Sequence, residues 1–271
     1  MEFLKRFEQK ERLEYGANVA MEIELIRHPD KDYETGNITN KGKQQFLEKL
    51  ENEYDDSFDL VKFYLSPHKR PQQLRKDIQN FLKEKRIKSS IRTKEELLGR
   101  WSEFSPQAKK ALIEELKKRN ILTQDDLDKI TKEKKQIAYE PETIDLEQVG
   151  NSLLIEQFFD KKWPDSHLKG KDFGQEIEKL IDHFSKLASR LKSNSRVKIV
   201  LIGHSGVIEY FNKLIYLKNH PELQPEEVNL KMIGGLIKPL EGPKIEIRSD
   251  ENGKQTIKLF FKGKELIIKK Q

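Results

Sequence analysis

Val197-Lys198-Ile199-Val200-Leu201-Ile202-Gly203-His204-Ser205-Gly206 reads as a buried strand that runs into a polar loop. Its first six residues are almost continuously apolar, as expected of a strand covered on both faces in a parallel sheet flanked by helices. After the loop, Val207, Phe211 and Ile215 recur at helical spacing, so a strand, a loop and a helix follow one another.

Two earlier segments repeat that order. Residues 21–26 carry Met21, Ile23, Leu25 and Ile26 and stop at Arg27-His28-Pro29-Asp30. Gly36, Asn37 and Asn40 continue that loop, and Thr39 is placed to cap a helix over residues 41–54. Residues 58–65 stop at Ser66-Pro67-His68-Lys69-Arg70-Pro71, ahead of a helix through Leu74, Ile78, Phe81 and Leu82.

The remainder is assembled around these three units. A stripe of Phe173, Ile177, Leu180, Ile181, Phe184 and Leu187 predicts a helix over residues 173–191 with its apolar face in the core, and His183 within it is read as structural. Near the C-terminus, Ile245-Glu246-Ile247 and Ile257-Lys258-Leu259 alternate about an Asn252-Gly253 turn, which predicts a β-hairpin, with a third strand over residues 265–268. Residues 105–172 are polar with helical periodicity and are expected to form an inserted cap; residues 1–20 are expected to form a charged helical extension. The expected fold is a three-layer α/β sandwich over residues 21–271, with a mostly parallel central sheet, a helical cap insertion and a C-terminal β-hairpin.

Composition narrows the function. Lysine and arginine total 52 against 46 aspartates and glutamates, interleaved without long single-sign blocks. A nucleic-acid partner is therefore not expected, because it would need a concentrated basic stripe with aromatics beside it. The chain has no cysteine, which excludes disulfides, thiolate-bound zinc and thiol catalysis and suits a reducing cytoplasm. The first residues lack the apolar core of a signal peptide, and no run of eighteen apolar residues occurs, so neither export nor a membrane span is expected.

In open α/β sheets, ligands lie beyond the carboxyl ends of the strands. The three polar loops bring two arginines and at least two histidines to that position: Arg27, His28, Arg70 and His204. Guanidinium forks pair with phosphate oxygens in charge-assisted bonds, and imidazole serves as nucleophile or donor. That inventory points to a phosphoryl group.

The same segments resemble the histidine phosphatase (phosphoglycerate mutase-like) superfamily. Leu25-Ile26-Arg27-His28 and the downstream Gly36-Asn37-Ile38-Thr39-Asn40-Lys41-Gly42 look like its first histidine motif. Ser66-Pro67-His68-Lys69-Arg70-Pro71-Gln72-Gln73 resembles its second-arginine segment, and Leu201 through Ile208 its second-histidine segment. Glu95-Glu96-Leu97-Leu98-Gly99-Arg100-Trp101 is similar to the acidic segment between them, and the likeness spans residues 21–101 and 173–235. It implies that His28 is a nucleophile that becomes transiently phosphorylated, and that Arg27, Arg70 and His204 hold the phosphoryl oxygens.

The leaving oxygen needs a proton, and the resemblance assigns it to Glu95, with Glu96 and Glu103 as rivals, since Ser205 stands where another branch of the superfamily carries its acid. The implied activity is a metal-independent phosphatase acting on a phosphorylated small molecule or phosphoprotein, with no cofactor. Pro29 stands where the superfamily commonly has glycine, and it lacks an N–H. That departure keeps a non-catalytic phosphate-binding or protein-interaction module as the alternative, ahead of a phosphomutase. His68 could line the pocket mouth but is expected in solvent or behind the pocket lining, and the oligomeric state is open.

Overall fold

The computed structural model describes residues 14–32, 35–54, 57–97 and 169–270, with isolated positions 114, 117, 118, 156, 159 and 160 between them. The expected cap at 105–172 lies almost wholly outside the described residues. So do residues 1–13 of the expected N-terminal helix; Tyr15, in the part described, bridges to Lys192 instead.

Strands β1 (Ala20–Arg27), β2 (Leu60–Leu65), β3 (Ser89–Thr93), β4 (Arg196–Gly203), β5 (Lys244–Ser249), β6 (Gln255–Phe261) and β7 (Lys264–Lys270) form one sheet in the order β3-β2-β4-β1-β5-β6-β7. β3, β2, β4 and β1 pair in parallel, whereas β5, β6 and β7 continue from β1 antiparallel. The sheet is therefore evenly mixed, where the sequence led us to expect a mostly parallel one. The reason is local: β5 to β7 are joined by short turns, at Asn252-Gly253 and at Lys262-Gly263, in which Gly253, Lys262 and Gly263 all adopt positive φ, and a tight turn can only reverse the chain.

Helices α1 (Asn40–Glu53), α2 (Lys69–Gln73), α3 (Arg75–Glu84), α4 (Gly170–Ala188) and α5 (Val207–Asn219) complete the described elements, apart from short 3₁₀ turns. Thr39 caps α1 as its position suggested, its hydroxyl accepting from the Gly42 N–H at 2.9 Å. The sheet separates two hydrophobic clusters. Ile199 and Leu201 of β4 join Ile177, Ile181 and Phe184 of α4 and Phe211 and Ile215 of α5. Val200 and Ile202, pointing the other way, join Phe46 and Leu50 of α1 and Ile78 and Phe81 of α3. β4 is buried on both sides, which accounts for its unbroken apolar run.

β3 is a strand that the sequence pattern does not announce. Ser89-Ser90-Ile91-Arg92-Thr93 has no apolar face, and among the described residues it pairs with β2 alone, at the sheet edge, where one open side makes few demands on composition.

Gly242 is required by close approach: a Cβ there would lie 1.7 Å from the Leu25 carbonyl oxygen. Around it the chain pairs with the end of β1, Arg27 N–H donating to Glu241 at 2.9 Å and Leu240 N–H to Arg27 at 3.0 Å. The C-terminal half of the fold is thereby laid against the strand that ends in Arg27.

A buried ionic cluster closes the second face. Glu24 accepts from Lys198 at 2.9 Å and from the Tyr54 hydroxyl at 3.3 Å, with Lys244 at 3.4 Å and Lys49 at 3.6 Å. Burial opposes its charge, but Lys198 and Lys49 outweigh burial and hold the carboxyl at about 2. A carboxyl depressed on folding stabilises the protein above its unfolded pKa and ceases to do so as pH falls through its folded pKa. Glu24→Gln, which leaves the buried Lys198 ammonium with the more distant Glu22 carboxylate at 3.7 Å as its partner, is expected to cost on the order of 3 kcal/mol at neutral pH. In urea unfolding, the gap to wild type should narrow as pH falls from about 4.5 toward 2; a constant gap would show that Glu24 does not carry the effect.

Candidate active site

The parallel register places three strand ends at one level. Arg27 lies opposite Gly203 across β1 and β4, and Leu65 lies opposite Ile202 across β2 and β4. The pairing continues into the loops: His28 N–H donates to Gly203 at 3.0 Å and Ser66 N–H to Ile202 at 2.9 Å. The helix after β1 covers one face of the sheet and the helix after β4 the other, which opens a crevice between their loops.

His28 is only 3% exposed. Its Nδ1 lies 2.6 Å from the Pro29 carbonyl oxygen; a carbonyl can only accept, so Nδ1 carries the proton and Nε2 keeps a lone pair. Pro29 has no N–H to offer, yet its carbonyl sets the tautomer that leaves the lone pair on Nε2.

His204 is also buried. Its ring lies 5.0 Å from that of His28 and 5.0 Å from that of His68, edge-on to both. Its Nε2 meets Ser66 Oγ at 3.2 Å, and the same hydroxyl accepts from the His68 main-chain N–H at 3.3 Å. His68 is half-buried, packed against the pair. The sequence favours solvent or a place behind the lining and also allows the pocket mouth; the ring is half-buried and stands beside that of His204.

Burial is the largest influence on all three imidazoles and lowers their pKa values, those of His28 and His204 well below the usual histidine range. Arg70 lowers all three further, and Arg27 adds to the effect on His28 and His204. Arg70 and Arg27 thus act on one small volume of neutral imidazoles. Arg27 is anchored by a bond to the Ile237 carbonyl at 3.1 Å.

Sequence reasoning missed Glu209. It is fully buried, accepting from Ser205 Oγ at 2.9 Å, the Ile237 N–H at 2.9 Å and the Gly206 N–H. Burial raises its pKa, and these bonds work against that rise. The carboxyl fastens the turn after His204, where Gly206 takes φ 89°, to the same Ile237 peptide segment that holds Arg27. A Glu three residues into a helix after a capping glycine was the available signal.

Glu95 lies exposed on the 3₁₀ turn Glu95–Leu97. Leu97 of that turn lies beside Gly203, so the turn borders the crevice, but among the described residues Glu95 has no contact with either buried histidine. Glu96 pairs with Lys94 at 3.4 Å, and Glu103 lies outside the described residues.

With neutral imidazoles under Arg70, His28 and His204 should titrate below the usual histidine midpoint of about 6.5 when followed by NMR, and Arg70→Ala should move both midpoints upward. Midpoints unchanged by Arg70→Ala would mean that its charge does not reach the pair.

No family model matches the sequence, and no curated protein matches it. Among solved structures, a mycobacterial glucosyl-3-phosphoglycerate phosphatase in its native form is similar, at 13% identity and TM-score 0.48, over 91% of this chain and 99% of that one. The same phosphatase with inorganic phosphate is similar at 10% identity and TM-score 0.42, over 92% of this chain and 97% of that one. At such identities the assignment of the site rests on its own residues.

Proposed function

We propose that this chain is a phosphatase that hydrolyses a phosphate monoester through a phosphohistidine at His28. The observation that carries the reading is His28 itself, buried, neutral, held by the Pro29 carbonyl with Nε2 unprotonated, beside His204 and within the field of Arg70.

In this reading Nε2 of His28 attacks phosphorus, the ester P–O bond breaks, and the leaving oxygen takes its electron pair and a proton. Glu95, on the turn bordering the crevice, is the proposed donor. Water then attacks phosphorus and passes a proton to the Glu95 carboxylate, the P–N bond breaks with its electron pair returning to Nε2, and inorganic phosphate leaves His28 and Glu95 in their starting states. Arg27, Arg70 and His204 hold the three nonbridging oxygens, His204 as a neutral donor, and the positive field of the two guanidiniums meets the charge of the transferring group without requiring a metal ion. Residues 21–271 act as the catalytic domain, a three-layer sandwich with residues 105–172 as a cap that selects a phosphorylated small molecule or phosphoprotein, and the setting is cytoplasmic. Pro29, which favoured a non-catalytic module, no longer does so, since its carbonyl orients the nucleophile.

Hydrolysis of an aryl phosphate in the presence of EDTA tests this directly. Wild type should turn over, His28→Ala should not, and Arg70→Ala should lose about 10²- to 10³-fold. Glu95→Gln should slow alkyl phosphates more than aryl ones, whose leaving group needs little protonation. Turnover that survives His28→Ala would overturn the phosphohistidine.

A further inference from the structure

We infer that His68 is a third imidazole of the phosphoryl pocket, donating an N–H to a nonbridging oxygen of the bound group. The inference rests on the phosphatase reading and adds a residue to it.

Geometry carries it. The His204 ring lies 5.0 Å from that of His28 and 5.0 Å from that of His68, so an oxyanion held against His204 lies within one ring's reach of His68. His68 opens the segment that delivers Arg70, and its main chain is tied through Ser66 Oγ to His204. Among the described residues no hydrogen bond explains the ring's place: Nδ1 is buried and has no partner there. Buried polar atoms are normally satisfied, and an exception in a cluster of basic groups calls for a functional account. With Nδ1 enclosed, the proton of the neutral ring is best kept on Nε2, where a ligand can accept it. The charged and titratable groups that face this ring are Arg70, Lys31, His204 and His28. Arg70 and Lys31 carry the positive charge there, which suits an anion.

The chemistry separates this role from two others. A donor to a nonbridging oxygen stabilises bound phosphate as well as the transition state, so it affects ground-state oxyanions and is indifferent to the leaving group. A general acid acts on the bridging oxygen and shows itself with poor leaving groups. A spacer acts through packing alone and responds to neither.

The experiment measures inhibition by inorganic phosphate and vanadate, with kcat and KM on aryl and alkyl phosphates, for wild type, His68→Leu, His68→Gln and Arg70→Ala. Leucine keeps bulk without a donor, and glutamine places an N–H near the position of Nε2. His68→Leu is expected to weaken both inhibitors roughly tenfold or more and to lower kcat/KM equally for the two substrates, with most of the loss regained in His68→Gln. Unchanged inhibition in His68→Leu, alongside weakened inhibition in Arg70→Ala, would overturn the inference and leave the phosphatase reading standing. A loss confined to alkyl phosphates would make His68 a general acid, and equal losses in both His68 variants with lowered thermal stability would make it a spacer; either result overturns the inference. A wild type that neither binds oxyanions nor turns over would remove the underlying reading as well.

Discussion

The in-register parallel pairing of β1, β4 and β2 is what every feature of the site depends on. Each strand ends one residue before, or at, a group of chemical interest, and backbone bonds extend the ladder past the strands, from His28 to Gly203 and from Ser66 to Ile202. Because strand side chains alternate, slipping one strand by a residue would turn its apolar set to the wrong face. The two hydrophobic clusters that β4 feeds from opposite sides therefore protect the register. Core packing and active-site geometry are one constraint here.

The electrostatics follow from where that register puts the loops. Two buried imidazoles and a half-buried third share a small volume with Arg70 and Arg27, and burial and positive charge act in the same direction to keep the rings neutral. A neutral imidazole can present both a lone pair and a donor, and an anion entering such a pocket relieves the crowding of positive charge. The Glu209 carboxyl, buried a turn away, serves a different purpose. It is consumed by three donors, and it links the His204 turn to the segment that holds Arg27. The carboxylate nearest to His204 in sequence thus belongs to the scaffold.

The C-terminal strands extend the sheet away from the site, yet they contribute to it. Gly242 crosses the Leu25 carbonyl at a distance no side chain permits, and the residues around it pair with the end of β1. Arg27 is thereby held by its own strand, by the antiparallel half of the sheet and by Ile237. A segment outside most of the recognisable motifs helps to orient one of the motif residues.

By itself the sequence determined the strand-loop-helix units, because an apolar run that stops at a polar loop is a local property, as is the hydroxyl of Thr39 at a helix start. It also determined the inventory of Arg27, His28, Arg70 and His204, whose order along the chain places them at strand ends. Only the tertiary structure decided that Ser89–Thr93 is a strand, since an edge takes its hydrogen bonds from a neighbour whatever its own composition. It alone showed the sheet to be evenly mixed, because antiparallel pairing of β5 with β1 depends on how a distant segment returns. It alone set His68 beside His204, Glu209 beneath the turn and Glu95 in the open, since a short motif names side chains but burial and distance arise from all the elements that pack around them.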